Sequence, residues 1–330
     1  MKKSRPGFAD IYQRFGTLLL LAVLFIIACF VSPNFLTSGN LVNVLRQISV
    51  VGILACGSTF LLISGNLNIA YDGLIAFLGC ISCLIMTYTG NMLLAIIVPV
   101  VLGTVIGWLF GVMVTTFQVP AFIVGLAFTS ISSGAILLIT KGSMISSTGL
   151  GNFKILGQGY LGVIPVCVLI MLAVIAVSHI VLASSCFGRK VYAVGGNKAA
   201  ASASGVNVNS VIRRVYVVDG IFLAIGSILY MSRLNHGDPT GGSGYAFDAL
   251  TAACVGGVSI SGGTGHIPGA FIGAAIVGIL NNIMNLANID ANWQQVVSGL
   301  VIIVAVSVDM FMQIRTANNA HKNMHAGKAA

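Results

Sequence analysis

GRKVYAVGGNKAAASASG, residues 188–205, is a basic, Gly- and Ala-rich insert in an otherwise apolar sequence. The runs on either side, 163–184 and 211–230, are each long enough to cross a bilayer, whose core takes about 20 residues of helix. A chain that gathers basic residues on one polar loop between such runs is showing the side that meets cytoplasmic partners. The fold this implies is an all-α polytopic membrane protein.

Composition points the same way. Of 330 residues, 57% are hydrophobic and 7% charged, and the mean hydropathy is +1.01, which excludes an ordinary soluble chain. All seven acids are aspartates (Asp10, Asp72, Asp219, Asp238, Asp248, Asp290, Asp309), so the net charge of +9 reflects scarce acids rather than abundant bases. Nucleic-acid binding gains no support from such a balance. The seven cysteines are scattered through apolar segments, where a thiol acts as a small hydrophobe and no disulfide framework is implied. Cys80 and Cys83 form a C-x-x-C without a second ligand pair nearby, which argues against a metal or redox site. Lys2, Lys3, Arg5 and Arg14 precede an apolar run from Thr17 to Val31. Ser32-Pro33-Asn34-Phe35 follows it rather than a small-x-small cleavage site, so the run reads as an uncleaved first span.

Candidate spans fall at 17–31, 50–64, 69–89, 92–117, 121–140, 163–184, 211–230, 249–261, 267–287 and 294–312, ten in all. With the N-terminus inside, twelve Lys and Arg fall on inside segments, and four (Arg46, Lys141, Lys154, Arg233) fall outside. That bias obeys the positive-inside rule. It places residues 1–16, 185–214 and 313–330 in the cytoplasm. The segment 249–261 is short and Gly-interrupted, reading as a broken or re-entrant helix, and a second break occurs at Ser64-Gly65-Asn66-Leu67-Asn68. Paired interruptions point toward a substrate path, while small residues also serve tight helix packing. Both readings stand at this level.

No G-x-x-x-x-G-K-[ST] occurs, so the chain has no P-loop and any ATP it uses is bound by another subunit. The G-x-G-x-x-G at Gly157, Gly159 and Gly162 follows no predicted strand and fails the dinucleotide context. Gly241–Gly244 with Ser243, and His266 downstream, supply the elements of an intramembrane serine hydrolase if they converge. Asp72 and Asp219 lie at membrane depth, where a carboxylate is costly and is a functional candidate; an ion-coupled secondary transporter would use them. Asp219 follows Arg213 and Arg214, which suggests an ion pair. Asp72 lies beside Tyr71, Asn66 and Asn68. Such a group offers donors and acceptors to a polyhydroxylated solute, or else caps the broken helix. Asn281 and Asn285 share a helix face with Asn282 adjacent, as interhelical hydrogen-bonding groups or as path lining.

These residues resemble the ribose-type permeases of bacterial ATP-binding-cassette importers, in the branched-chain amino acid/ribose permease superfamily. The resemblance rests on SPNFLTSGNLVNVLRQISVVGILACG (32–57), GRKVYAVGGNKAAASASGVNV (188–208), RLNHGDPTGGSGYAFDALTAACVGGVSISGGTGHIPGAFIGA (233–274) and NNIMNL (281–286). It implies one transmembrane permease domain over 1–330, with about ten helices, pairing with a second permease, identical or related. It further implies two cytoplasmic ATP-binding subunits carrying ATP and Mg, an extracytoplasmic solute-binding protein, and no cofactor on this chain. Residence in the bacterial inner membrane follows, with both termini cytoplasmic. The coupling loop would be Arg189, Tyr192, Gly195, Gly196, Asn197, Ala200, Ser204 and Gly205, entering a groove of the ATPase. The path would be lined by Asn66, Asn68, Tyr71, Asp72, Phe122, Asn281, Asn282 and Asn285. Where the family usually reads G-G-I-D-L-S-V-G-S, this chain has Gly65-Asn66-Leu67-Asn68-Ile69-Ala70-Tyr71-Asp72-Gly73, so Asn68 replaces an Asp. Ala246-Phe247 replaces a Glu-Leu and Ile283 a Gly. These departures fall where path or gating is expected and leave the identity of the solute open.

Overall fold

The computed structural model describes residues 8–146, 149–290, 293, 294, 296–304 and 307, with side chains from Gly16 onward. Helices dominate: α1 (Phe8–Val31), α2 (Ser38–Ile63), α3 (Tyr71–Thr89), α4 (Met92–Thr115), α5 (Ala121–Thr140) and the short α6 (Lys154–Gln158). A two-stranded hairpin, β1 (Tyr160–Leu161) and β2 (Ile164–Pro165), leads into α7 (Val166–Ser184), α8 (Cys186–Gly196), α9 (Lys198–Ala203), α10 (Val208–Leu234), α11 (Tyr245–Val255) and α12 (Ile267–Leu286). Residues 296–304 are also helical. Among the described residues, α2, α3, α4, α5, α7, α10 and α12 are long and apolar enough to cross a membrane. The chain is a polytopic α-helical membrane protein.

At its centre stands α2. Every residue from Ile48 to Ile63 is buried, as expected of a helix surrounded on all sides, and α10, α12, α11 and α7 pack around it. Around the periphery, α4 and α5 turn large apolar side chains outward, among them Val101 (54% exposed) and Leu138 (82%), a surface suited to lipid. The most extensive pairing is α4 with α10. Gly103, Gly107 and Gly111 recur every four residues on α4, and a Cβ on Gly107 would lie 2.3 Å from the Tyr216 carbonyl oxygen. Only a face without side chains admits the neighbouring backbone so closely.

Side-chain caps divide the polar segment 185–214. Ser185 Oγ accepts from Gly188 N at 2.9 Å, Asn197 Oδ1 from Ala200 N at 2.9 Å, and Asn207 Oδ1 from Ser210 N at 3.0 Å. Each satisfies an amide that the start of its helix leaves free.

Three expected spans are corrected in extent. The second begins at Ser38 rather than at 50, because its polar residues find partners. Asn40 and Asn282 exchange amide hydrogen bonds of 3.0 and 2.8 Å, and Arg46 donates to the Gln158 carbonyl at 2.7 Å while lying over the Tyr160 ring. The segment expected at 249–261 is helical only over Tyr245–Val255. Its eleven residues cover about 16 Å, half of the hydrocarbon core, and Gly257, at φ +86°, ends it. The span expected at 163–184 starts at Val166, since Ile164 and Pro165 pair in β2. Residues 1–7 and 311–330, with the basic groups counted there, lie outside the described residues, as does the end of the tenth candidate span.

Candidate functional site

Both interruptions seen in the sequence are real breaks, and side chains from other helices hold them. In the first, Ser64 Oγ donates back to Leu61 O, Gly65 turns at φ +71°, and Asn66 Nδ2 donates to Ser64 O and Oγ at 3.0 Å each. Asn66 thus closes the end of α2. The chain then runs irregularly to α3. Asn68 Oδ1 accepts from Ala70 N at 2.8 Å, and its amide donates to Asp219 Oδ2 at 2.8 Å. Tyr71 OH donates to Asp219 Oδ1, and Tyr216 OH, one turn earlier on α10, donates to Leu67 O at 3.1 Å. Asp219 and Tyr71 are each 1% exposed, so the carboxylate takes its compensation from a phenol and an amide.

This arrangement corrects two expectations. The ion pair of Asp219 with Arg213 or Arg214 does not form with Arg213, whose guanidinium donates instead to Thr115 Oγ1 (2.7 Å) and Thr116 Oγ1 (2.9 Å) at the end of α4. Nor do Asn66, Asn68, Tyr71 and Asp72 form one cluster. Asp72, on the first turn of α3, points instead to the start of α11, where its two oxygens accept from Gly244 N at 3.1 Å and Ala246 N at 2.9 Å. It caps the half-helix α11 from another element, placing negative charge at a helix N-terminus. Gly242 (φ +99°) and Gly244 (φ +87°) let the chain wrap the start of α3, where a Cβ on Gly242 would meet the Asp72 carbonyl oxygen at 2.8 Å. Asp72→Ala is expected to lower thermal stability by about 1–3 kcal/mol, measured by thermal unfolding of the purified chain.

Beside the capped end of α11 opens a cleft of about 300 Å³ whose lining includes Thr240, Ser243, Phe247, Asp248, Asn281 and Ser298. Asp248 accepts from Asn281 Nδ2 and from Ser298 Oγ, both at 3.1 Å. Asn281 Oδ1 is buried and has no hydrogen-bond partner among the described residues. Phe247 contributes a ring that is 53% exposed. Carboxylate, amide and hydroxyl groups around an aromatic face suit a small polyhydroxylated solute. Of the expected path residues, Asn281 lines this cleft, and Asn285 accepts from Gln294, which also lines it. Asn282 is committed to Asn40, and Phe122 is 56% exposed on α5. Thr240, Ser243, Phe247, Asp248 and Ser298 were not anticipated as lining. The usable signal was Asp248, an acid at the entrance to an apolar segment.

α8 meets both breaks from the far end. Its buried face, with Val191 and Val194, brings Gly195 against the end of α2, where a Cβ would lie 1.6 Å from Ile63 O. Gly263 N donates to the same carbonyl at 2.9 Å, and Tyr192 OH donates to Gly265 O at 2.7 Å. Burial raises the Tyr192 phenol above its ordinary range. Tyr192 and Gly195 therefore face this chain's own breaks. Arg189, Gly196, Asn197, Ala200, Ser204 and Gly205 are exposed and form the outer face of α8 and α9.

Other sequence signals resolve structurally. Ser243 precedes α11 and His266 immediately precedes α12 beyond its other end, near Gly256 and Gly269, so about 16 Å of helix separates the groups a serine hydrolase would join. Cys80 and Cys83 are buried in α3, and among the described residues no three His, Cys, Asp or Glu are placed to hold a metal ion.

The chain matches the family model described as "Branched-chain amino acid transport system / permease component" over residues 40–306. It is 36% identical to the ribose import permease protein RbsC of Haemophilus influenzae, covering 89% of this chain and 92% of that protein. Against RbsC of Bacillus subtilis the identity is 35%, covering 93% and 96%. Against the L-arabinose transport system permease protein AraH of Escherichia coli it is 31%, covering 94% of each. No solved structure matches the chain.

Proposed function

The chain belongs to the branched-chain amino acid transport system / permease component family, and on that premise we propose that it is the transmembrane subunit of an ATP-driven importer for a sugar or sugar-like solute. Ten helices, counting α1, the half-helix α11 and the helix that includes 296–304, form one domain over 1–330 in the bacterial inner membrane, with both termini and residues 185–214 cytoplasmic. The solute enters from an extracytoplasmic binding protein, and the Asp248–Asn281 cleft receives its hydroxyls. Two cytoplasmic subunits bind ATP and Mg, and a second permease completes the path.

One observation supports this reading above the others. α8 touches the end of the first break at Ile63 and the end of the second at Gly263 and Gly265, while its other face is free. Motion imposed on α8–α9 by an ATPase reaches both breaks through one rigid element, the arrangement that alternating access requires. The carboxylates that an ion-coupled carrier would use have their oxygens in protein hydrogen bonds.

The test is co-purification of the full chain with the ATPase encoded beside it. Gly196 has open space around it, so Gly196→Trp changes the outer face without disturbing the inner one. The wild type is expected to retain the ATPase and the variant to lose it. A wild-type chain that retains no ATPase overturns the reading.

A further inference from the structure

At the α9 end of α10, beside α4, the surface holds a second cleft, of about 390 Å³, which plays no part in the solute path. Its polar rim is Asn207, Asn209, Ser210, Arg213 and Arg214, with Trp108 across from them and Val217 toward the membrane. Among the described residues no carboxylate lines it. Arg213 is held in place by Thr115 and Thr116 at 2.7 and 2.9 Å, so its charge is fixed at the cleft rather than swinging free. Arg214 is exposed. Trp108 is 50% exposed, and indoles favour the membrane–water interface.

An apolar track leads away from this rim. Ile97 (46% exposed), Val101 (54%), Val105 (47%) and Trp108 lie on one face of α4 and extend about 16 Å toward the far leaflet. Two guanidiniums with amides at one end, and an apolar stripe running from them along the membrane, match an anionic headgroup joined to an acyl chain. A soluble anion would use the rim alone. We propose that this cleft is a binding site for an anionic glycerophospholipid of the leaflet on the α8–α9 side. Its phosphate is held by Arg213 and Arg214 and one acyl chain lies along Ile97–Trp108. Guanidinium forks suit phosphate oxygens, and basic pockets between transmembrane helices are where such headgroups bind.

The site lies at the foot of the α4–α10 pair, whose glycine face admits the close backbone approach described above. A lipid bridging Trp108 on α4 and Arg214 on α10 would brace that pair beside the element that moves in transport.

The experiment is native mass spectrometry of the delipidated full chain titrated with dioleoyl phosphatidylglycerol, dioleoyl phosphatidylcholine or inorganic phosphate. The expected result is saturable binding of one phosphatidylglycerol, preferred at least ten-fold over phosphatidylcholine and not displaced by millimolar phosphate. Arg214→Gln, at an exposed position, is expected to weaken it about five-fold, and Trp108→Leu to weaken it measurably. Lys154→Gln, an exposed cation elsewhere, leaves it unchanged and controls for net charge. Equal binding of the two lipids, or equal weakening by Lys154→Gln and Arg214→Gln, overturns the site. Displacement by phosphate alone makes it a soluble-anion site, and displacement by the partner ATPase makes it a protein interface. Either of these also overturns the proposal.

Discussion

Gly195→Ala is expected to abolish ATP-driven uptake while Gly196→Ala, one residue on, leaves it within about two-fold of wild type. The added methyl at 195 would lie 1.6 Å from Ile63 O and 2.7 Å from Gly263 N, whereas at 196 nothing lies within 4 Å. Both clashing atoms are backbone atoms joined by a hydrogen bond, so no side-chain rotation relieves the contact. α8 must lift away, at a cost of about 1–3 kcal/mol, and the single element that touches both breaks is lost. Uptake and ATP turnover measured in the same proteoliposomes distinguish this from misfolding. The expected pattern is retained ATPase assembly and hydrolysis with no solute movement. Wild-type uptake by Gly195→Ala would mean that the contact transmits nothing.

The second large effect concerns Asp219. Asp219→Ala removes the acceptor of two donors at once, the Tyr71 phenol and the Asn68 amide. Each buried donor left unpaired costs about 1–3 kcal/mol, so a loss of several degrees in the thermal midpoint is expected. Asn68→Asp is expected to be comparably damaging, since it would set a second carboxylate 2.8 Å from the first, with no cation bonded to either among the described residues. The informative variant is the exchange, Asn68→Asp with Asp219→Asn. A single acid and a single amide remain in contact, and Tyr71 keeps an acceptor. Thermal midpoints of the two single variants and the double are expected to show a coupling of about 2 kcal/mol in favour of the exchange. An additive result would mean that the pair does not act as a unit. The exchange tests whether the carboxylate can sit on either side of this contact.

Much of the fold was legible because membrane helices announce themselves by length and hydropathy. α3, α4, α5 and α12 fall within a few residues of their expected bounds. Both breaks were visible as glycine and asparagine interruptions. What the sequence concealed was partnership between distant segments. Asn40 and Arg46 look too polar for a span until Asn282, Gln158 and Tyr160 are seen beside them. Tyr245 starts a helix because Asp72, 174 residues from Ala246, caps it, and no local pattern carries that information. Asp219 was paired with its neighbours in sequence, Arg213 and Arg214. On a helix the six-residue step from Arg213 to Asp219 amounts to about 600° of rotation and 9 Å of rise, which points their side chains to different neighbours. The segment 188–205 stands out in the sequence, but its inner and outer faces separate only once Val191 and Val194 are known to be buried.

The most direct test of the whole account is uptake by proteoliposomes holding the full chain, with labelled pentoses and hexoses supplied with the binding protein encoded beside it. The neighbouring ATPase and ATP are added or withheld, under imposed proton and sodium gradients. The account predicts that uptake requires the ATPase and internal ATP and persists when ionophores collapse both gradients. Uptake by the chain alone, driven by either gradient and indifferent to ATP, would contradict it.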